Sequence, residues 1–296
     1  MRVFIFLLLT PRIHGWGKEG HYAVCKIAEN YLSEDALTAV KALLPENAEG
    51  DLANVCSWAD EIKFHNRWSS PLHYVDTPDF RCNYQYCRDC HDSHGRKGRC
   101  VTAAIHNYTM QLMSKRDDTF LSAAKYNLTE ALMFLSHFIG DVHQPLHVGF
   151  IGDEGGNTII VRWFRRKTNL HHVWDTMIIE SAMKTFYNKD LATMIQSIQN
   201  NITDLLEPEA AHAVQMLLPD YVNGDCHNPH GDKDMCVAGA IRNFTDQLSH
   251  YGHGTSDRRY DYFNSRLPIV MKRIAQGGVR LAMILNRVFG DSHEDL

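Results

Sequence analysis

The chain has 296 residues, 44% of them apolar, and a formal net charge of −5. That suits a soluble globular protein of one large or two small domains and excludes polyanion binding by bulk positive charge. If a nucleic acid or phosphate ester is the substrate, bound cations or a local basic patch must attract it.

Residues 1–15 combine a basic start at Arg2, an apolar run from Val3 to Leu9 and a small residue, Gly15, before Trp16. The run is too short to span a bilayer, so it reads as a secretory signal, with the mature chain starting at Trp16 and residues 16–296 forming one domain. No later stretch is long and uncharged enough for a membrane helix. After Trp16, GKEGHYAVCKIAENYL predicts an amphipathic helix carrying His21, and SEDALTAVKALLP a second, with Ser33 as N-cap and Pro45 beyond its end. The next segment supplies Asp60, His73 and Asp76. Further helices are expected over Val101–Met113, Thr129–Val142 and Leu170 to about Tyr187, with a strand signal at Thr158–Phe164. The fold class is therefore mainly α.

Eight cysteines (Cys25, Cys56, Cys82, Cys87, Cys90, Cys100, Cys226, Cys236) and four sequons (Asn107, Asn127, Asn201, Asn243) fit disulfides and N-glycosylation in an oxidising compartment. A zinc knuckle competes for the Cys-rich loop, because Cys87-x-x-Cys90 is followed by His91 and His94; secretion favours disulfides. Arg162, Arg165, Arg166 and Lys167 form the densest basic patch, readable either as a polyanion contact or as a solvated charged face.

The chemistry gathers between His137 and Asp175, in HFIGDVHQPLH and NLHHVWD. His137/Asp141 and His171/Asp175 are both His-x-x-x-Asp, which on a helix puts the two side chains on one face, one turn apart. One such pair is ordinarily a surface hydrogen bond. Two pairs, with Pro145 ending a helix and aiming His147 back at it, point to a catalytic zinc site built from imidazole and carboxylate.

The motifs WGKEGH, WADEIK, SSPLHYVDTP, SHFIGDVHQPLHVGF, GGNTI and NLHHVWD, in this order from Trp16 to about Thr203, resemble the plant bifunctional single-strand-specific nucleases, relatives of the fungal enzymes and more distantly of bacterial zinc phospholipase C. The resemblance implies a helical fold with a cleft for three zinc ions: one on Asp60, His73, His137 and Asp141, a second on His147, His171 and Asp175, a third on Trp16, His21 and Asp141. Trp16 would act through its free α-amine and its carbonyl. It further implies that Asp76 and Asn157 recognise the base and that Lys63 lies beside the scissile phosphate; for these three an ordinary surface or turn role is the alternative. Such a cluster would acidify a water, clamp the phosphate and neutralise the departing 3′ oxygen, leaving the phosphate on the 5′ side. The expected partners are single-stranded DNA and RNA and 3′-nucleotides, without stable membrane association, for a secreted monomer. A phospholipase C or an inactive binding protein are the rival functions.

Residues 206–225 repeat 32–51, and 226–248 repeat 90–112, skipping the block that holds Asp60 and His73. Two copies with a deletion do not make a solenoid, which needs at least three stacked units. Cys226 and Cys236 duplicate Cys90 and Cys100, and one loop cysteine is expected to be stranded. The nine expected metal ligands all lie upstream.

Overall fold

In the computed structural model, which describes residues 15–81, 84–114, 126–202 and 257–290, the first amphipathic segment folds as α1 (Lys18–Glu29), burying His21, Val24, Cys25 and Ala28 along one face. Ser33 caps α2 (Glu34–Leu43) by accepting from the Ala36 N–H, as its position before the periodic run dictates. Short 3₁₀ turns then carry the chain into α3 (Trp58–Ile62), and another, Arg67–His73, ends on His73. The turn α4 (Tyr86–Asp89) precedes α5 (Val101–Met113).

The centre of the molecule is α6 (Leu128–His143), buried at every position from Ala131 to Asp141. A helix apolar all round belongs inside a core, which is why its two ionisable residues there, His137 and Asp141, need partners. Around it pack α1, α2, α5 and the long C-terminal helix α10 (Asp257–Phe289), named after the intervening α7, α8 and α9. The approach of α10 to α1 is close: a Cβ on Gly278 would stand 2.5 Å from Ile27, so this position has no room for one. Arg280 of α10 donates to His143 Nε2 at 2.7 Å and pins the end of α6.

The strand expectation holds in part. β1 (Ile160–Trp163) is shorter than Thr158–Phe164 and pairs with β2 (Arg166–Asn169) as an antiparallel hairpin, in the register Ile160 to Asn169. Phe164 and Arg165, both at positive φ, make its two-residue turn. The second strand, RKTN, has no apolar alternation and escapes pattern reading. The helix expected from Leu170 is also not uniform. It consists of α7 (Leu170–His172), a π turn (Val173–Met177) and α8 (Ile178–Phe186), followed by α9 (Leu191–Asn200), which the sequence reading did not single out.

Cys25 is bonded to Cys56 and Cys90 to Cys100, and Cys87 is also disulfide-bonded. The zinc-knuckle alternative is thereby excluded, and no described cysteine is free, so none of these is the stranded one expected above. Cys82, Cys226, Cys236, Asn243, all of the leader but Gly15 and the repeat (206–248) lie outside the described residues. Asn107, Asn127 and Asn201 are exposed. Among the described residues no helix is long and apolar enough to cross a membrane.

Candidate metal centre

The side chains of the centre are delivered by several separate pieces of chain. α1 brings His21, α3 brings Asp60, the 3₁₀ turn after it brings His73, and α6 brings His137 and Asp141. Pro145 stops α6 and starts a 3₁₀ turn, Pro145–Val148, which presents His147. α7 and the π turn present His171 and Asp175. All are buried, as is Trp16 at the entry to α1.

Asp141 stands at the middle. Its Oδ2 is 2.9 Å from His73 Nδ1 and 3.2 Å from His137 Nε2, while its Oδ1 is 3.3 Å from His21 Nε2 and 3.6 Å from His147 Nδ1. Asp60 Oδ1 lies 3.6 Å from His137 Nε2 and accepts from Lys63 Nζ at 2.6 Å. On the other side, His171 Nε2 is 3.3 Å from Asp175 Oδ2 and 3.1 Å from His147 Nε2. The donor atoms group as His73/His137/Asp141, as His147/His171/Asp175 and as His21/Asp60/His137, each within 4.8 Å of one another. Of the nine expected ligands, eight are thus drawn into these three groups; Trp16, buried at the entry to α1, is in none of them.

Whether these residues suit cations can be judged from their proton positions. His137 Nδ1 donates to Cys56 O at 2.8 Å, His147 Nδ1 to His73 O at 2.7 Å, and His171 Nδ1 to Gly155 O at 2.7 Å. In a neutral ring that leaves Nε2 as the lone-pair nitrogen. Two such lone pairs, on His147 and His171, face each other at 3.1 Å, close to the ~3.3 Å separation of two nitrogens on a tetrahedral zinc at ~2.0–2.1 Å bonds. A cation held between them, like a shared proton, makes that contact attractive. Both nitrogens of His21, Nε2 of His73 and Oδ1 of Asp141 are likewise buried without a hydrogen-bond partner. The residues fit metal.

Electrostatics agree. Burial, with His137 adding to it, pulls His21 down to about 4, and burial pulls His73 down to about 4 against the opposing pull of Asp141. Both rings are therefore neutral and available as ligands. Burial works to raise Asp141, but His137 and His147 beside it hold its carboxyl well below the usual range. Asp175 is the opposite case: burial drives it well above that range, only partly offset by the Gln144 amide, which donates to Oδ1 at 2.5 Å.

Gln144 is the residue the sequence reading passed over. Its Oε1 accepts from Leu146 N while its Nε2 holds Asp175, so one amide links the 3₁₀ turn of His147 to the π turn. Its place in QPLH was the available signal. The backbone carbonyls of Cys56, His73 and Gly155, which orient three imidazoles, carry no signal in sequence.

The remaining expected residues lie outside these three groups. Val75 N donates to His147 O and Thr77 N to Gly149 O, both at 2.9 Å, so the segment leaving His73 runs beside the one leaving His147 and carries half-buried Asp76 outward. Burial, with Asp153 and Glu154, pushes Asp76 up to about 7. Asn157 is buried, donates to Glu154 O at 2.8 Å and accepts from Asn169 at 3.4 Å, holding the loop before the hairpin. Arg162, Arg165, Arg166 and Lys167 are all exposed on that hairpin.

Gly15 passes through the centre itself. A Cβ there would stand 1.6 Å from Asp141 Oδ1 and 2.8 Å from His21 Nε2, so the Gly15 main chain occupies the space between two expected ligands. Gly17 N, two residues on, donates to the Asp175 carbonyl of the π turn at 2.7 Å.

The fold and centre define a mainly helical protein with three buried His/Asp groups able to hold metal. Comparison with known proteins narrows it: residues 16–290 match the S1/P1 Nuclease family. The chain is 60% identical over 291 residues to Endonuclease 4 of Arabidopsis thaliana, spanning 96% of this chain and 93% of that protein. It is 31% identical over 287 residues to Nuclease P1 of Penicillium citrinum (93% and 98%) and 30% over 296 residues to Nuclease S1 of Aspergillus oryzae (95% and 94%). The chain belongs to the S1/P1 nuclease family. Its match reaches residue 290, past Thr203, where the motif resemblance stops. It is a nuclease, and neither the phospholipase nor the inactive-binder reading is favoured.

Proposed function

We propose that the protein is a secreted, zinc-dependent endonuclease that cuts single-stranded DNA and RNA to 5′-phosphate products and also releases phosphate from 3′-nucleotides. The observation that carries this reading is the Asp141 carboxylate, fully buried, with one oxygen turned to His73 and His137 and the other to His21 and His147. Bridging two cations is the role such a carboxylate can fill. Asp60, His73, His137 and Asp141 would hold one zinc, His147, His171 and Asp175 a second, and His21, Asp141 and Trp16 a third. When bound, the zincs would supply Lewis acidity to polarise the phosphate and acidify a water.

The chain's own groups do the rest. Lys63, buried against Asp60 at 2.6 Å, places a fixed positive charge for the phosphate. Asp76 recognises the base, and Asn157 braces the adjacent loop. A base must leave its stack to reach them, which costs least in a single strand. Cleavage after Gly15 would free the Trp16 α-amine and vacate the space between Asp141 and His21 that Gly15 now fills. The family match starting at Trp16 supports that boundary, and the disulfides support an oxidising compartment.

The test is zinc content by mass spectrometry together with cleavage of matched single-stranded and duplex oligonucleotides, with end-group analysis. Three zincs, single-strand preference and 5′-phosphate ends are expected. Full activity after exhaustive chelation, or 3′-phosphate ends, would overturn the reading.

A further inference from the structure

The segment that leaves His73 does not end at Asp76. Beyond Thr77, whose carbonyl accepts from Ile151 N at 3.0 Å, Asp79 accepts from Gly152 N at 2.8 Å and fixes the tip of the loop against the segment that leaves His147. At this tip Phe80 is 79% exposed, the most exposed of the large apolar residues described, and it adopts φ 62°, in the left-handed region that a Phe enters only at a cost. Its ring centroid is 6.4 Å from that of buried Phe150, and Ile151 beside it is 52% exposed. Arg81 follows in sequence and is exposed. On the other flank, the loop closed by Cys90–Cys100 is tied to the same segment by Val101 N donating to Tyr74 O at 3.0 Å, and it carries exposed Lys97.

A ring so exposed, on a backbone held in the left-handed region, keeps an aromatic face open to a ligand at a conformational cost. Phe80 lies seven positions after His73, a reach of at most about 25 Å. Aromatic faces beside cations bind single strands by stacking bases, with little sequence preference.

We propose that Phe80 is a stacking platform for a base of single-stranded DNA or RNA lying beyond the linkage that is cut, with Arg81 and Lys97 beside the backbone of the same strand. This rests on the nuclease reading above. Phe80 thus sets the rate on polymers and leaves the rate on minimal substrates alone.

The experiment compares wild type with F80A, F80W and F80G on a single-stranded 12-mer and on a dinucleoside monophosphate, which has only the cut linkage. With stacking lost, kcat/KM on the 12-mer is expected to fall at least ~5-fold in F80A and F80G. F80W should retain it, and all four proteins should agree within about 2-fold on the dinucleotide. F80G should also melt higher by about 2–4 °C, because glycine relieves the positive φ; a merely structural Phe80 would lose stability and activity together. Unchanged 12-mer cleavage in F80A, or equal losses on both substrates, overturns the proposal. A correctly processed, zinc-loaded wild type that cuts neither substrate overturns the nuclease reading and this proposal with it.

Discussion

Replacing Asp141 by Asn changes one oxygen to nitrogen at the point where the centre's histidines meet. The wild-type carboxylate presents Oδ2 to His73 and His137 and Oδ1 to His21 and His147, at 2.9–3.6 Å. An amide has one oxygen, so one of the two sides loses its acceptor and meets an N–H instead, and the net negative charge is gone. At an effective dielectric of about 20, one unit charge pair at 4 Å is worth ~4 kcal/mol. Two decades of rate correspond to ~2.7 kcal/mol, so loss of the charge alone covers them. We expect D141N to drop at least one zinc per chain, to lose activity by at least ~10²-fold, and to keep its helical circular dichroism. Zinc is counted by mass spectrometry on dialysed protein, and turnover by release of acid-soluble nucleotides. Wild-type stoichiometry together with turnover within threefold of wild type would refute the bridging role of Asp141.

Three further outcomes follow from the same geometry. A form that retains Gly15 should bind two zincs rather than three and turn over at least ~10-fold more slowly, because an amide nitrogen at Trp16 has no lone pair to give; intact mass fixes the terminus, and equal stoichiometry and rate would remove Trp16 from the centre. Q144L frees Asp175 Oδ1 from its donor, and should weaken zinc binding by about 10–100-fold in a chelator competition, with unchanged affinity refuting the link. For Asp76, burial and then Asp153 and Glu154 raise the folded pKa to about 7 from 3.8, so the folded state binds the proton more tightly than the unfolded chain and stability falls as pH rises from about 4 to 7. D76N removes that fall: in metal-free protein the melting temperature of D76N relative to wild type should climb between pH 4.5 and pH 8, and a pH-independent difference would show that Asp76 is not held up by burial.

Legibility in the sequence followed the period of each signal. Val101–Met113 and the Ser33 cap could be read because apolar spacing and a capping hydroxyl act locally. His137 and Asp141 could be paired because a regular buried helix fixes their spacing. The π turn at Val173–Met177 could not: it leaves the His171 and Asp175 spacing intact and is met by a contact from far away, Gly17 N on the Asp175 carbonyl. β2 escaped because its half-exposed RKTN pairs through backbone alone. The ligand residues stood out as residue types, while the carbonyls that decide which imidazole nitrogen faces inward are invisible until the chain is folded. Phe80 belongs to the same group, since neither its exposure nor its positive φ is written in TPDFR.

The bond between Cys25 and Cys56 has a further meaning once the Cys56 carbonyl is seen to hold the His137 imidazole. It joins the helix of His21 to the turn just before Asp60, closing a loop with a separation of 31 residues, and on a chain-entropy basis contributes about 3–4 kcal/mol. A ligand's orientation is thus set by a residue whose place depends on oxidation. Reduction of that bond would release the Cys56 carbonyl from its tether to α1, and with it the hydrogen bond that orients His137. The redox state of this one bond therefore bears on the centre as well as on the fold.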